Sequence, residues 1–213
     1  MIFSKLSRLS RRGKIKLFFS EICPHENSTI IDVGAQVGDV NTDTMQLIDI
    51  YPWKKNITAI NIHNVHVENI KDKYPEVNAI VADALELPWP DQYFDIAYSN
   101  AVIEHVGGPV EQRRFASEIS RVAKKIFVTT PNRWYPFEFH LRLPLVTWLP
   151  GRAYLKIGSI ARYNHVRKKY MWFRGEVTGL QLLSKHDMQN YFPDCEILKQ
   201  SITFLPETLI AFK

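Results

Sequence analysis

A short segment near the start of the chain combines two glycines with a carboxylate at the end of a predicted buried strand. The segment is TIIDVGAQVGD, residues 29–39, and it contains Asp32, Gly34 and Gly38. Glycine lets the backbone turn sharply and approach a ligand closely, because no Cβ intervenes. Asp32 needs partners, because an isolated buried carboxylate is unfavourable. Since α/β folds bind nucleotide-like cofactors at such strand-to-helix junctions, the segment predicts a cofactor site.

The glycine turn lacks the spacing of a dinucleotide-binding loop. That fingerprint is G-x-G-x-x-G, and Gln36 stands where its second glycine would be. The missing glycine normally lets the backbone approach a pyrophosphate. The turn therefore favours a cofactor without phosphate groups.

Polar residues stand at the ends of three further predicted strands. Asn61 ends the second strand, Asp83 follows the third and Asn100 follows the fourth. The carboxyl ends of parallel strands face a common crevice, where Asn61 could bind ribose hydroxyls and Asp83 an adenine amino group. Each residue alone is a weak signal, because Asn and Asp are also common in turns. We expect Gly34 and these three residues to converge on one cavity.

These positions belong to a regular alternation of predicted strands and helices. Nearly continuous apolar runs predict five strands, and segments of helical periodicity lie between them. The alternation is typical of an α/β fold with a doubly wound, mostly parallel sheet. The predicted strands are residues 29–34, 57–62, 77–82, 94–99 and 125–130, and the predicted helices are residues 1–22, 40–50, 65–74 and 109–123.

The remainder of the chain departs from this alternation. Residues 131–180 are rich in aromatic residues, Pro and Arg, and they predict a lid inserted after the fifth strand. Ser184 and Asp187 predict a capped short helix, followed by a closing pair of strands. At 213 residues we expect a single domain, divided into a basic N-terminal helix (1–24), a cofactor-binding core (25–130), the lid (131–180) and a closing helix with two strands (181–213).

The net charge of +5 is concentrated in two clusters, one before Glu21 and one between residues 152 and 174. Such clusters suit phosphates, anionic lipid or nucleic acid, and they can also be solvated surface. The N-terminal helix is amphipathic, so it either lies on a membrane surface or packs its apolar side against the domain. We favour packing that helps to close the cofactor pocket.

Three features predict a cytoplasmic location. No apolar run reaches the length of about 18 residues that a membrane-spanning helix needs. The charged N-terminus lacks the apolar core of a signal peptide. Cys23 and Cys195 are isolated from each other and from any cluster of metal ligands, so we expect reduced thiols and no metal site. Contact with the inner face of the membrane is a further interpretation of the basic N-terminus.

Four segments resemble the successive motifs of class I S-adenosylmethionine-dependent methyltransferases, in the branch known as type 11 methyltransferase domains. They are residues 30–38, residues 57–62, VADALELPWP at 81–90 and FDIAYSNAVIEHV at 94–106. The resemblance covers about residues 25–130. It implies a Rossmann-like sheet of seven strands with an antiparallel final strand, and S-adenosyl-L-methionine as the cofactor.

The resemblance also assigns cofactor positions residue by residue. It places the glycine turn under the methionine part, Asn61 at the ribose, Asp83 at the adenine and Asn100 near the methionine end. Two positions depart from the family pattern. Gln36 replaces a glycine, and Asn61 replaces an acid whose charge-assisted bond would be about twice as strong. The implied set is Asp32, Gly34, Ala35, Gln36, Gly38, Asn61, Ile62, Asp83, Ala84, Leu85 and Asn100.

Glu104 and His105 follow the fourth strand and are the candidate catalytic residues. The sulfonium of the cofactor already activates the methyl group, so the protein must mainly position the acceptor and remove its proton. His105 could act as that base or orient the acceptor. The alternatives are structural: His105 could bind a backbone carbonyl, and Glu104 could hold the loop.

The segment TPNRWYPFEFH, residues 130–140, opens the predicted lid and supplies candidate acceptor-binding residues. Asn132, Arg133, Glu138 and His140 are polar groups among aromatics, a mixture typical of pocket walls. The run resembles a segment of bacterial methyltransferases in this branch. The alternative is an aromatic core beneath a long loop.

The sequence therefore predicts methyl transfer to a small-molecule or carrier-linked acceptor, most simply at oxygen. Two alternatives stay open. Aromatic residues within the second basic cluster would suit a nucleic-acid methyltransferase, although no separate RNA-binding module is evident. The departures at Gln36 and Asn61 would suit a non-catalytic descendant of the fold. A lipid-linked acceptor at the membrane is compatible with the basic clusters, and the oligomeric state is left open.

Overall fold

The computed structural model describes residues 2–38, 45–138, 143–149, 161–164, 169–172, 180–202 and 204–213. Its strands are β1 (Ile30–Val33), β2 (Ile57–Asn61), β3 (Asn78–Val81), β4 (Phe94–Asn100), β5 (Ala123–Pro131), β6 (Phe137–Glu138), β7 (Leu143–Pro144), β8 (Ala161–Asn164), β9 (Lys169–Trp172), β10 (Glu196–Gln200) and β11 (Thr208–Phe212). Its α-helices are α1 (Ile2–Leu17), α2 (Leu47–Ile50), α3 (Asn64–Lys73), α4 (Pro109–Val122) and α5 (Lys185–Tyr191). A π-helical turn, Phe18–Ile22, extends α1, and short 3-10 turns cover Lys54–Asn56, Ile103–His105 and Val146–Trp148.

Seven strands form one sheet in the order β10-β11-β5-β4-β1-β2-β3. Strand β11 runs antiparallel to both of its neighbours, and the pairs from β5 to β3 are parallel. This confirms the predicted doubly wound, mostly parallel sheet with an antiparallel final strand. The strand order reverses at β1, which pairs with β4 on one side and β2 on the other, and open α/β sheets bind ligands at this switch point.

The two faces of the sheet bury different helices, because successive strand residues point to opposite sides. Ile31 and Val33 pack into a cluster that includes Phe115 of α4. Ile30, one residue earlier, packs into a second cluster with Phe18 of the π-helical turn. Strand β1 is thus buried on both faces, which explains why its residues other than Asp32 are all apolar instead of alternating with polar ones.

Local capping fixes the starts of two helices. Pro109 occupies the first position of α4, and the Glu111 carboxylate accepts a hydrogen bond from Gly108 N at 2.8 Å. Ser184 and Asp187 form a reciprocal capping box at the start of α5, with Asp187 N donating to Ser184 Oγ. Both starts were predicted from these residue types. The helix predicted at 40–50 begins at Leu47, later than predicted, because Gln46 is its N-cap and has an extended backbone; residues 39–44 lie outside the described part.

The basic N-terminal helix packs on the sheet rather than standing apart from it. Ile15, Phe18 and Ile22 are buried, and the Phe18 ring meets the Tyr98 ring edge-on with centroids 5.2 Å apart. Lys125 Nζ donates to Ile22 O at 3.0 Å at the end of the π-helical turn. In the described residues, none of the helices combines the length and apolar character needed to cross a bilayer.

The described parts of residues 131–180 contain two short hairpins outside the main sheet. Strand β6 pairs with β7, and β8 pairs with β9, both antiparallel. The start of this segment is tied to the sheet, because Asn132 N donates to Glu207 O and Arg133 N donates to Leu183 O, each at 2.9 Å. A role for this segment as a lid, and the division of the chain into the four parts given above, stay predictions.

Candidate active site

A cavity of about 390 Å³ opens at the switch point, along the carboxyl ends of β1, β2 and β4 and the turn after β3. Its size falls within the range of small-molecule sites. The described residues that line it are Val33, Gly34, Gln36, Ile60, Asn61, Ile62, His63, Ala82, Asp83, Ala84, Leu85, Ala101, Val102, His105 and Val106.

The turn after β1 requires glycine at position 34 for two reasons. Gly34 has φ +80°, a conformation that residues with a side chain rarely adopt. A Cβ on Gly34 would also lie 2.3 Å from Cγ2 of Val102, which lines the cavity. The amides of Gly34 and Ala35 both donate to Ile60 O, at 2.9 and 3.0 Å, so the turn is held against β2.

The far end of the glycine turn is held by Asp49, a residue that the sequence analysis did not identify. The buried Asp49 carboxylate accepts hydrogen bonds from Gly38 N at 3.1 Å, Gln46 N at 2.8 Å and Tyr74 Oη at 2.8 Å. Lys73 Nζ donates to Gly38 O at 2.7 Å. The capping position of Asp49 in α2 could have been recognised from the sequence, but no local feature of the sequence connects Asp49 to Gly38. Gly38 itself does not line the cavity, so its described contacts support the turn.

Asp32 is 4% exposed and does not line the cavity. Burial raises the pKa of its carboxyl to about 7, and the charge of Asp49 raises it further in the same direction. An ionised Asp32 would be unfavourable in this buried position, as expected from the sequence, and the raised pKa favours the protonated carboxyl. A direct contact between Asp32 and the cofactor stays a prediction.

Asn61 lines the cavity, but its amide already binds the backbone. Asn61 Nδ2 donates to Ala35 O, and Asn61 Oδ1 accepts from His63 N, both at 2.9 Å. The side chain thus joins the end of β2 to the glycine turn. His63, which the sequence analysis missed, lies on the same wall and adds a second polar side chain there.

Asp83 lines the cavity together with three of the apolar residues predicted for the cofactor site. Its Oδ1 accepts a hydrogen bond from Leu85 N at 2.9 Å, which fixes the turn after β3. Ile62, Ala84 and Leu85 line the adjoining wall. A carboxylate beside apolar side chains can bind the edge of a planar base while the side chains contact its face.

The expectation that Gly34 and three polar residues all line one cavity is met except at Asn100. Gly34, Asn61 and Asp83 do meet there, but Asn100 does not line it. Asn100 Oδ1 instead accepts hydrogen bonds from Lys14 Nζ at 2.6 Å and Thr129 Oγ1 at 2.8 Å. The chain reverses at Ala101, which has φ +58°, so Ala101 and Val102 form the wall instead.

Lys14 is a second residue that the sequence did not single out. It comes from α1 and is 8% exposed, and burial followed by the charge of Arg11 lowers its pKa to about 8. Glu104 and Glu207 act in the opposite direction on the same group. The end of β4 is therefore filled by a cation from the N-terminal helix.

The two candidate catalytic residues are placed differently. His105 lines the cavity and is exposed there. Glu104 is fully buried and is not among the lining residues. Its Oε2 accepts from Thr130 Oγ1 at 3.1 Å, and its backbone oxygen accepts from Gln181 N at 2.8 Å. The geometry agrees with the loop-holding alternative for Glu104 and leaves His105 beside the cavity.

The predicted acceptor residues are not among those lining the cavity. Asn132 is buried, and its Nδ2 donates to Pro206 O while its Oδ1 accepts from Trp134 N. The Arg133 guanidinium stacks on the Trp134 ring at 5.6 Å. Glu138 is described only as part of β6, and His140 lies outside the described residues.

Comparisons with known proteins agree with this fold. Residues 31–126 match the family described as a methyltransferase domain. A probable S-adenosylmethionine-dependent methyltransferase of Mycobacterium tuberculosis is 31% identical over 101 residues, which are 46% of this chain and 31% of the relative. The match thus spans less than a third of that relative's length.

Two solved structures share the architecture. The PH0226 protein of Pyrococcus horikoshii aligns with a TM-score of 0.62 at 17% identity, over 95% of this chain and 88% of the other. Magnesium protoporphyrin IX methyltransferase of Synechocystis, solved with bound SAH, aligns with a TM-score of 0.58 at 14% identity, over 96% and 81% of the two chains. At these identities the likeness shows the fold alone.

Over residues 31–126 the chain thus matches a methyltransferase-domain family, and one of its relatives is a probable S-adenosylmethionine-dependent methyltransferase. This confirms the family that the sequence motifs resemble, and S-adenosylmethionine is the cofactor of that family.

Proposed function

We propose that this protein transfers a methyl group from S-adenosylmethionine to a hydroxyl of a small-molecule or carrier-linked acceptor. The observation that carries the proposal is the cavity in which the glycine turn, Asn61 and Asp83 meet at the switch point of the sheet. The family match over residues 31–126 supports the same reaction class.

The lining residues fit an adenosyl group better than a phosphate-bearing cofactor. Neither Lys nor Arg is among the described residues that line the cavity. Phosphate groups are commonly bound by such cations or by glycine-rich loops opening a helix. Adenine and ribose instead need hydrogen-bond partners beside apolar surface, which Asp83, Asn61 and Ile62 supply. When bound, S-adenosylmethionine supplies a methyl group already activated by positively charged sulfur.

Each end of the cavity has a distinct task in this proposal. Asp83 would accept a hydrogen bond from the adenine amino group, with Leu85 and Ile62 against the ring. Asn61 holds the glycine turn in shape and, with His63, would face the ribose. Gly34 keeps the wall next to Val102 clear, because a side chain at position 34 would collide with Val102.

His105 is the residue that we assign to the acceptor. Its imidazole would hold the acceptor hydroxyl and take its proton as the methyl group is transferred, which keeps the charge balanced at the reacting oxygen. Glu104 would act as a positioning residue, because its carboxylate is buried against Thr130 at the base of the same 3-10 turn. The preference for oxygen rests on this pairing of a titratable base with the cavity.

The test is a transfer reaction with isotopically labelled cofactor and cell extract, followed by mass spectrometry of the products. We expect a labelled methyl ether or ester on a small or carrier-linked compound. His105→Ala should slow its formation by roughly 100-fold or more while cofactor affinity is retained. His186→Ala, an exposed histidine on α5, is the matched control and should leave the rate unchanged.

Two results would contradict the proposal. Label found only in nucleic acid would assign a different acceptor class. Unchanged product formation by His105→Ala would remove the proposed base and leave His105 a structural role.

A further inference from the structure

Large apolar side chains are exposed together at the active-site end of the molecule. Trp134, Leu145 and Trp148 are each at least half exposed, and Phe204 is fully exposed. Leu205 beside it is 48% exposed. Single exposed apolar residues are common in proteins, whereas a contiguous group of them marks an interaction surface.

A chain of hydrogen bonds shows that these residues are neighbours. Trp148 Nε1 donates to Trp134 O at 3.1 Å, and Trp134 N donates to Asn132 Oδ1 at 3.1 Å. Asn132 Nδ2 in turn donates to Pro206 O at 2.9 Å, which places the loop carrying Phe204 and Leu205 next to the tryptophans. We call these exposed residues, Trp134, Leu145, Trp148, Phe204 and Leu205, the aromatic rim.

The aromatic rim adjoins the outer face of α1. Ser10 Oγ donates to Glu207 Oε1 at 3.4 Å, and Gln200 Nε2 donates to Ser10 O at 2.9 Å, so both ends of the rim loop meet the helix. Leu9, Arg12 and Lys16 are exposed and share one side of α1 by their helical spacing. The opposite side, with Ile15 and Phe18, is buried in the domain.

The charge of this end has one sign along α1. Of the six Lys and Arg residues before Glu21, Arg12 and Lys16 are exposed on this face, whereas Lys14 is buried against Asn100. On the rim itself, the Arg133 guanidinium stacks on the Trp134 ring. Indole rings favour the boundary between water and lipid, and exposed Lys and Arg beside them are attracted to anionic headgroups.

We propose that the aromatic rim and the exposed face of α1 form a docking surface for an anionic lipid bilayer. Phe204, Leu205 and the two tryptophans would enter the headgroup layer, while Arg12 and Lys16 would meet lipid phosphates. Aliphatic Leu9, Leu145 and Leu205 favour a bilayer over nucleic acid, since these side chains gain from the interfacial region but offer nothing to a base edge.

The surface has a direct consequence for the acceptor. The same helix places Lys14 on Asn100 at the end of β4, next to the wall formed by Ala101 and Val102. A bilayer bound to the outer face of α1 would therefore be separated from Asn100 by this one helix, at the end of the sheet where the cavity lies. This inference rests on the proposed methyl transfer and specifies its acceptor, which would be a hydroxyl of a lipid or lipid-linked compound.

The experiment is flotation of the full chain with vesicles of phosphatidylcholine alone and with vesicles containing phosphatidylglycerol. We expect binding to the anionic vesicles and at least tenfold weaker binding for Arg12→Glu combined with Lys16→Glu. Phe204→Ser and Trp134→Ser should each weaken binding severalfold. Phe204→Ser keeps the test informative if Trp134→Ser perturbs the fold, because the Phe204 side chain is fully exposed.

Matched controls lie elsewhere on the surface. Lys71→Glu on α3 and Tyr93→Ser at the amino end of β4 change an exposed cation and an exposed aromatic residue away from the rim, and both should bind vesicles like the wild type. Absence of wild-type binding to anionic vesicles would overturn the proposal, as would equal losses in the control variants. Binding to a single-stranded RNA with no binding to vesicles would overturn it in favour of a nucleic-acid surface.

Cofactor affinity, measured by calorimetry on the same preparations, separates this inference from the proposed function. A wild-type protein that binds S-adenosylmethionine but ignores vesicles would refute the docking surface alone. One that binds vesicles but not the cofactor would refute the methyl-transfer proposal and leave the docking surface standing.

Discussion

The carboxyl edge of the sheet is open at β1, at β2 and at the turn after β4, and it is filled around Asn100, the last residue of β4, and Thr129 of β5. At the open part, Gly34 has no side chain and the Asn61 amide is folded back onto Ala35 O and His63 N. At the filled part, Lys14 reaches in from α1 and binds Asn100, which also accepts from Thr129. The comparison shows how one edge of a sheet can offer a cofactor cavity and, one strand away, anchor a covering helix.

The two parts also carry buried charges with opposite behaviour. Burial raises the pKa of Asp32 to about 7 beneath the glycine turn, and it lowers the pKa of Lys14 to about 8 at the end of β4. Each shift reflects the same preference of a poorly solvated site for the neutral form. Because one group is an acid and the other a base, the two regions should respond to pH in different ranges.

The largest expected effect is on the open part, from Gly34→Ala. A Cβ at φ +80° and 2.3 Å from Val102 combines backbone strain with a collision, together about 4 kcal/mol or roughly 1000-fold in cofactor affinity. Calorimetric titration would measure the loss. Adding Val102→Ala should restore part of the affinity by removing the collision. Gly108→Ala, whose Cβ would lie 3.2 Å from Glu111, should bind normally, and micromolar binding by Gly34→Ala would refute this account.

Asp32→Asn tests the buried acid. Between about pH 4 and pH 7 the unfolded carboxyl is ionised while the folded one is still protonated, so the unfolded state binds fewer protons and stability falls as pH rises. The shift corresponds to as much as about 4 kcal/mol, which Asp32→Asn should remove. Urea unfolding across this range, compared with Asp72→Asn on the exposed side of α3, would show it. Parallel stability curves for wild type and Asp32→Asn would contradict the raised pKa.

Lys14→Met tests the filled part. The folded Lys14 loses its proton near pH 8 and the unfolded one near pH 10.5, so between these values the unfolded state binds more protons and stability rises with pH. This contribution, as much as about 3 kcal/mol, should be absent in Lys14→Met. Lys16→Met on the exposed face of α1 is the control and should keep the wild-type slope. A wild-type slope in Lys14→Met would show that Lys14 titrates normally.

We expect the smallest effect from Asp83→Asn, a substitution in the cavity. The carboxylate would lose a charge-assisted bond to adenine, and we expect roughly tenfold weaker cofactor binding. The substitution keeps the shape and one carbonyl oxygen, so the turn to Leu85 should survive. Glu86→Gln, an exposed neighbour that pairs with Arg114, is the control for a change of charge in the same turn. Equal affinities of Asp83→Asn and wild type would remove Asp83 from the adenine site.

The strands and helix starts were predictable because their signals are local. The apolar runs of β1, β2 and β4, the proline at the start of α4 and the Ser184–Asp187 pair each lie within a few residues of the structure they specify. The glycine turn was predictable for the same reason, since its residues are consecutive along the chain.

The contacts that complete the site were not predictable, because they join residues far apart in sequence. Asp49 of α2 accepts a hydrogen bond from Gly38 in the glycine turn, and Lys14 binds Asn100, which is 86 residues away in the sequence. Asn100 binds Lys14 and Thr129 instead of lining the cavity, and neither these distant partners nor the positive φ of Ala101 has a local sign in the sequence. Helical spacing places Lys14 on the same side of the helix as Phe18, but it does not identify Asn100 as the partner.

The most direct test of the proposed cofactor cavity is calorimetric titration with S-adenosylmethionine of the wild-type chain, Gly34→Ala and His105→Ala. We expect one bound cofactor for the wild type, undiminished affinity in His105→Ala and almost none in Gly34→Ala. A correctly folded wild-type protein that shows no binding, or a Gly34→Ala protein that binds as tightly as the wild type, would contradict it.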